Sequence, residues 1–307
     1  MNLGWSRSDL HRTGSRQDDR RLRKRSSPGI SSDMSATKRN NVKVSGKGTR
    51  PIMFSHGFGC DQNMWRFVVP AFENDYKVVL FDHVGAGDSD LTAFDRSKYQ
   101  TLEGYAQDVL EICDELDLAE VSFVGHSVSS VIGILASIQQ PARFANLVLV
   151  GPSPRYINDE SYVGGFERHE IDGLLDMLDA NYLGWASTMA PVIMGNSHRP
   201  ELAEELQSSL CRTDPQIAKF FARVTFLSDN REDLNKVQTR TLVLQCSEDI
   251  IAPLSVGEFV HNQIRDSKLV IMRATGHCPN LSAPGETAAV IRDFLSRSSD
   301  MTNISAA

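Results

Sequence analysis

The sequence predicts an α/β fold: a mostly parallel sheet with helices on both faces. Two observations carry this. From Asn41 onward, short runs rich in Val, Ile and Leu alternate with helical stretches, the signature of strand–helix–strand units. Several of these runs are almost continuously apolar, as strands are when both faces of their sheet are covered.

Strands are expected near Val42–Ser45, Ile52–Ser55, Val78–Phe81, Val121–Val124, Leu147–Val150, Thr241–Gln245 and Leu269–Met272. The first two lie too close together for a crossover helix, so an antiparallel hairpin is expected there. Helices are expected near Thr101–Leu116, Val128–Ile138, Val256–Gln263 and Glu286–Ser296. One long interval, from Val150 to Thr241, breaks the alternation. It reads as four helices, Phe166–Tyr182, Gly184–Met194, Pro200–Cys211 and Pro215–Leu227. Pro200 and Pro215 stand where a first helical turn tolerates proline, and Thr213 or Asp214 can cap the last helix. A long insertion at the carboxyl end of a parallel sheet commonly covers a site. The expected division is therefore a core of 41–151 and 237–297, a helical lid of 152–236 and a flexible tail of 298–307.

Residues 1–40 differ from the rest. They are rich in Ser, lack apolar periodicity and carry the basic run Arg20-Arg21-Leu22-Arg23-Lys24-Arg25. Such a stretch buries too little surface to offset its ordering entropy, so a disordered basic extension is expected. Its twin arginines are followed by no apolar region of the kind an export signal needs. Met34 stands just ahead of the patterned part and is a candidate start of translation.

Bulk properties exclude several function classes. The chain has 307 residues, 41% of them apolar, and a formal net charge of −7. That balance argues against general nucleic-acid binding, which needs a basic face. No apolar run is long enough to cross a membrane. Cys60, Cys113, Cys211, Cys246 and Cys278 are scattered, odd in number and form no CxxC pair. They read as reduced thiols of a cytoplasmic protein, without a metal site or cofactor. Cys278 neighbours a candidate histidine, yet a small buried apolar role suits it better.

The chemistry concentrates at Gly125-His126-Ser127-Val128-Ser129, between an apolar strand and a helix of small residues. This is the setting of a nucleophile elbow: the sharp turn strains the serine and projects its hydroxyl above the sheet, against a helix N-terminus. The usual motif ends in glycine; here Ser129 takes that place and should crowd the elbow or bond locally. A serine needs a base, and the base an orienting acid. His277 and Asp249 follow the last two strands, in the chain order expected for this fold, with Glu248 as the rival acid. All these candidates fall on one rim of the sheet. His126 is expected to line the pocket floor. The Ser55-His56-Gly57-Phe58-Gly59 loop after the second strand can present the Phe58 N–H, paired with that of Val128, to an oxyanion. The GxG at Gly85–Gly87 is a turn, since neither GxGxxG nor a Walker lysine accompanies it.

HGFGCDQNMW at 56–65, FDHVGAGDSDL at 81–91, YQTLEGYAQDV at 99–109, GHSV at 125–128, VGPSPRYIND at 150–159 and SEDIIAP at 247–253 closely resemble the RsbQ family. Those α/β-hydrolases are positive regulators of the bacterial stress factor sigma-B, and the same pattern is similar to the plant strigolactone and karrikin receptors. The resemblance spans about residues 41–297. It implies an α/β-hydrolase fold with a four-helix lid, catalytic Ser127, Asp249 and His277, and oxyanion donors Phe58 and Val128. It also implies a small apolar pocket walled by Phe58, His126, Trp185 and Met189. Ser129 departs from the family glycine. Asn280 departs where relatives often carry a second histidine, which bears on the loop holding His277. Two functions use such a site: a signalling component acting with a PAS-domain phosphatase through a small apolar ligand, or a metabolic esterase or lactonase. Cofactor-free haloperoxidase chemistry is a third.

Overall fold

The computed structural model describes residues 34–304, with side chains through Ser296. All seven expected strands are present: β1 Lys43–Ser45, β2 Arg50–Ser55, β3 Tyr76–Leu80, β4 Val121–His126, β5 Phe144–Val150, β6 Arg240–Glu248 and β7 Ser267–Thr275. They form one sheet in the order β1-β3-β2-β4-β5-β6-β7. Every pair is parallel except β1 with β3, where Lys43 faces Leu80 and Ser45 faces Val78.

That pairing corrects the expected β1–β2 hairpin. After β1 the chain crosses the start of β3, where Lys47 N–H donates to Glu73 O at 2.7 Å and Gly48 N–H to Tyr76 O at 3.3 Å. β2 then emerges on the far side of β3 as its parallel neighbour. Burial explains the choice: β1 is exposed throughout and suits an edge, whereas β2 after Arg50 is wholly buried and belongs inside the sheet.

Ten α-helices accompany the described strands: α1 Ala36–Arg39, α2 Leu102–Glu115, α3 Val128–Gln139, α4 Arg168–Ala180, α5 Tyr182–Met194, α6 Pro200–Arg212, α7 Pro215–Phe226, α8 Leu254–Gln263, α9 Pro279–Ser282 and α10 Pro284–Ile304. α1 corrects the expected extent of the basic extension. Ser35 caps it, and the buried Asn40 behind it donates to Asp82 O at 3.0 Å and to the Asp108 carboxylate at 3.3 Å. Local capping and these long-range bonds hold 35–40 against the core, although the segment lacks apolar periodicity. The basic run at 20–25 lies outside the described residues. α10 runs through the expected tail as far as Ile304; 305–307 lie outside the described residues.

Alternation along the strands sorts the core. Met53 and Val79 pack with Tyr105 and Val109 of α2, Ile132 of α3 and Val260 of α8 on one face. Ile52, Phe54 and Val78 pack with Trp65, Phe72 and, from α10, Ile291 and Phe294 on the other. The insertion forms α4–α7 as expected, and its apolar sides meet one another and the loops at the sheet rim: Leu178, Trp185, Leu206 and Ala222 share a cluster with Cys60, Met64 and Cys278. Because β2, β4, β6 and β7 run parallel, the loops leaving their carboxyl ends converge beneath this cluster. No described helix is long and apolar enough to cross a membrane.

Candidate active site

Ser127 sits between β4 and α3 with φ 56° and ψ −122°, a conformation costly for a residue with a Cβ. Its N–H donates to Val150 O at 2.8 Å, and its carbonyl accepts from Ser130 N–H at 2.9 Å, so both neighbours hold the strained turn. The elbow closes tightly: a Cβ at Gly125 would stand 2.4 Å from Ser129 O.

His277 Nε2 lies 2.8 Å from Ser127 Oγ, and its Nδ1 lies 2.7 Å from Asp249 Oδ2. The other Asp249 oxygen accepts from the N–H groups of Ile251 and Ala252, at 2.9 and 3.1 Å. The three side chains are buried and form one unbroken chain. With Nδ1–H donated to Asp249, Nε2 is the lone-pair nitrogen facing Ser127. Glu248, the rival acid, is exposed at the end of β6.

The β2 loop arches over the serine. A Cβ on Gly57 would lie 2.7 Å from His126 Nδ1 and 3.3 Å from Ser127 Cβ, so only glycine permits this approach. The next residue is Phe58. Its N–H and that of Val128, at the first position of α3, have no backbone acceptor among the described residues. His126 Nε2 donates to His277 O at 2.7 Å, and burial, followed by the nearby His277, pushes its imidazole down to about 3. It is therefore neutral and acts as a strut beneath His277.

Ser129 is accommodated by a buried network. Its hydroxyl donates to His56 O and accepts from Ser55 Oγ at 2.8 Å and from His83 Nε2 at 2.8 Å. Burial holds the His83 imidazole well below its ordinary range, so it enters this network neutral. The local bonding expected of the serine is thus long-range, tying the elbow to the ends of β2 and β3. Asn280 Nδ2 donates to Met64 O at 2.9 Å, fastening the segment after His277 to the segment after β2.

Above Ser127 lies an apolar cavity. Its volume is small, about 40 Å³. Its lining includes Phe58 and His126, together with Tyr156, Leu206, Leu210 and Phe226. Trp185 and Met189 do not line it, a correction to the expected pocket. Trp185 packs behind Phe58, ring centroids 6.0 Å apart, and Met189 packs against the same cluster of the insertion. Phe58 takes the inner layer because the close pass at Gly57 carries it under α5. Sequence reasoning missed Tyr156, which lines the cavity beside Ser127 and whose phenol is pushed up to about 12, chiefly by burial. It lies in the quoted VGPSPRYIND run, six residues past β5; an aromatic in a loop at the sheet rim was the available signal.

A family model described as the alpha/beta hydrolase fold matches residues 50–284. The chain belongs to the α/β-hydrolase family. A strigolactone esterase from Arabidopsis thaliana is 40% identical over 258 residues, 84% of this chain and 96% of its own. A karrikin insensitive 2 receptor from Petunia hybrida is 39% identical over 253 residues, 82% of this chain and 94% of its own. Among solved structures, a hydrolase from Oleispira antarctica is 44% identical with a TM-score of 0.83, covering 85% of this chain and 96% of its own. The chain is an esterase-type serine hydrolase of this family, with strong similarity to plant proteins named strigolactone esterase and karrikin insensitive 2 receptor.

Proposed function

We propose that the protein cleaves small apolar esters or lactones and that this serves signalling, in the manner of the RsbQ family. Ser127 Oγ attacks the carbonyl carbon while His277 Nε2 takes its proton, and Asp249 holds and stabilises the imidazolium. The N–H groups of Phe58 and Val128 receive the oxyanion. Collapse breaks the C–O bond, the leaving alkoxide takes the proton from His277, and water then releases the acyl group by the same steps. The unbroken Ser127–His277–Asp249 chain beneath an apolar cavity is the observation that carries this reading. Likeness to a protein named a strigolactone esterase and another named a karrikin receptor supports a small ligand and a signalling output. Turnover is slow, since a ligand must widen so narrow a cavity to enter and leave it. Five free cysteines suit a reducing cytoplasm.

Hydrolysis of short acyl esters tests the chemistry: Ser127→Ala should abolish it, and wild-type rates in that variant would remove Ser127 from the role. The signalling reading expects a PAS-domain phosphatase to co-purify from native cells. A metabolic lactonase is the second reading, favoured by 27% identity to a 3-oxoadipate enol-lactonase from Acinetobacter baylyi over 83% of this chain. Fast turnover of one defined lactone, with no such partner, would select it.

A further inference from the structure

Thr225, in the last turn of α7, lines the same cavity as Ser127. It is 1% exposed, and its Oγ1 has no hydrogen-bond partner among the described residues. A threonine within a helix ordinarily returns its hydroxyl to a carbonyl one turn back. This chain does so elsewhere: Thr188 donates to Gly184 O and Thr287 to Ala283 O, each at 3.0 Å. Thr225 makes no such bond. A buried hydroxyl without a partner is destabilising, and valine would give the same shape without that cost.

Among the other polar side chains lining the cavity, the unpartnered His126 Nδ1 can only accept, because its ring donates through Nε2. Ser127 and His277 bond each other, and His126 donates to His277 O. Much of the remaining wall is apolar, including Phe226, Leu206 and Leu210. A ligand made only of hydrocarbon around its scissile carbonyl would leave the Thr225 donor stranded.

We propose that Thr225 Oγ1 is a specificity anchor: the ligand carries a second oxygen, remote from its scissile carbonyl, that accepts a hydrogen bond from this hydroxyl. The substrate class narrows from plain apolar esters to small esters or lactones bearing an additional ether, carbonyl or hydroxyl oxygen. This deepens the function proposed above and rests on the cavity being the ligand site.

Binding tests it without requiring turnover. Three matched pairs of phenyl esters walk an ether oxygen along the pocket: methoxyacetate against butanoate, 3-methoxypropanoate against pentanoate, and 4-methoxybutanoate against hexanoate. Calorimetric Kd values are measured on Ser127→Ala protein, alone and with Thr225→Val or Thr225→Ser added. At least one ether should bind more tightly than its hydrocarbon partner, by about three- to tenfold. Thr225→Val should erase that preference and Thr225→Ser should keep it. No preference in any pair, or a preference that survives Thr225→Val, overturns the anchor. Hydrolysis of the same esters by wild-type protein is read separately: absence of turnover with an intact Thr225-dependent preference would reject the hydrolase reading and keep the anchor. Should Thr225→Val fail to fold, loss of the preference in a Thr225→Ala variant, against its retention in Thr225→Ser, decides the matter.

Discussion

The N–H of His277 donates to Ile193 O at 2.9 Å, so the proposed base hangs from the last turn of an insertion helix. Asn196 reinforces the joint. Its Nδ2 donates to Met194 O and to Thr275 O, both at 2.9 Å, bridging the end of α5 to the end of β7. Movement of the cover is thereby coupled to the position of the imidazole. Asn196 has φ 53°, so Asn196→Gly keeps the backbone and removes only the bridge. The expected result is a kcat lower by about tenfold with little change in melting temperature, because small displacements of a reacting group are costly. Steady-state kinetics beside a thermal melt checks this; an unchanged kcat would uncouple cover from base.

The second prediction concerns the loop over Ser127. In Gly57→Ala the new methyl would meet His126 Nδ1 at 2.7 Å. His126 is packed and cannot yield, so the loop must lift and carry the Phe58 N–H away from the oxyanion. Loss of one such donor lowers kcat by about 10²–10³-fold. KM for short esters should change far less. Stopped-flow acylation would show the loss in the acylation step.

These two positions also show what could be read from sequence. Gly57, Ser127, Asp249 and His277 each belong to short motifs tied to strand ends, and parallel strands bring such ends to one rim, so the site was legible from local pattern and chain order. The β1–β3 pairing was not, because it depends on a crossing between segments that sequence distance alone does not reveal. Trp185 and Met189 failed for a related reason: helical periodicity says which face of α5 is apolar, not which layer of the packed insertion reaches the cavity. α1 was hidden because its single buried apolar residue, Ala36, makes no periodicity, and capping by Ser35 and the bonds of Asn40 do the rest.

Ser129 supplies a stability prediction. Ser129→Ala would leave His56 O without its hydroxyl partner in a buried site, with Ser55 Oγ and His83 Nε2 left to each other at 3.2 Å. The cost should be about 1–3 kcal/mol, read as a lower urea midpoint with an unchanged m-value. Ser129→Gly restores the glycine usual in the elbow, yet it should be no more stable than Ser129→Ala, because the missing hydroxyl is the cause in both. A Gly variant as stable as wild type would show that the network contributes nothing.

Acid should destabilise the fold through its buried histidines. His126 titrates near 6.5 when unfolded and is pushed down to about 3 in the fold, chiefly by burial; burial lowers His83 in the same direction. Between those two values the unfolded chain binds a proton at residue 126 that the folded chain refuses. The stabilisation is therefore fully present above pH 6.5 and is lost as pH falls toward 3, with a slope of about 1.4 kcal/mol per pH unit for one such group. His126→Gln, which can still donate to His277 O, should flatten the acid limb of a urea-stability profile between pH 6 and 4 by about one proton. An acid limb as steep in the variant as in the wild type would mean that His126 is not the neutral strut beneath His277.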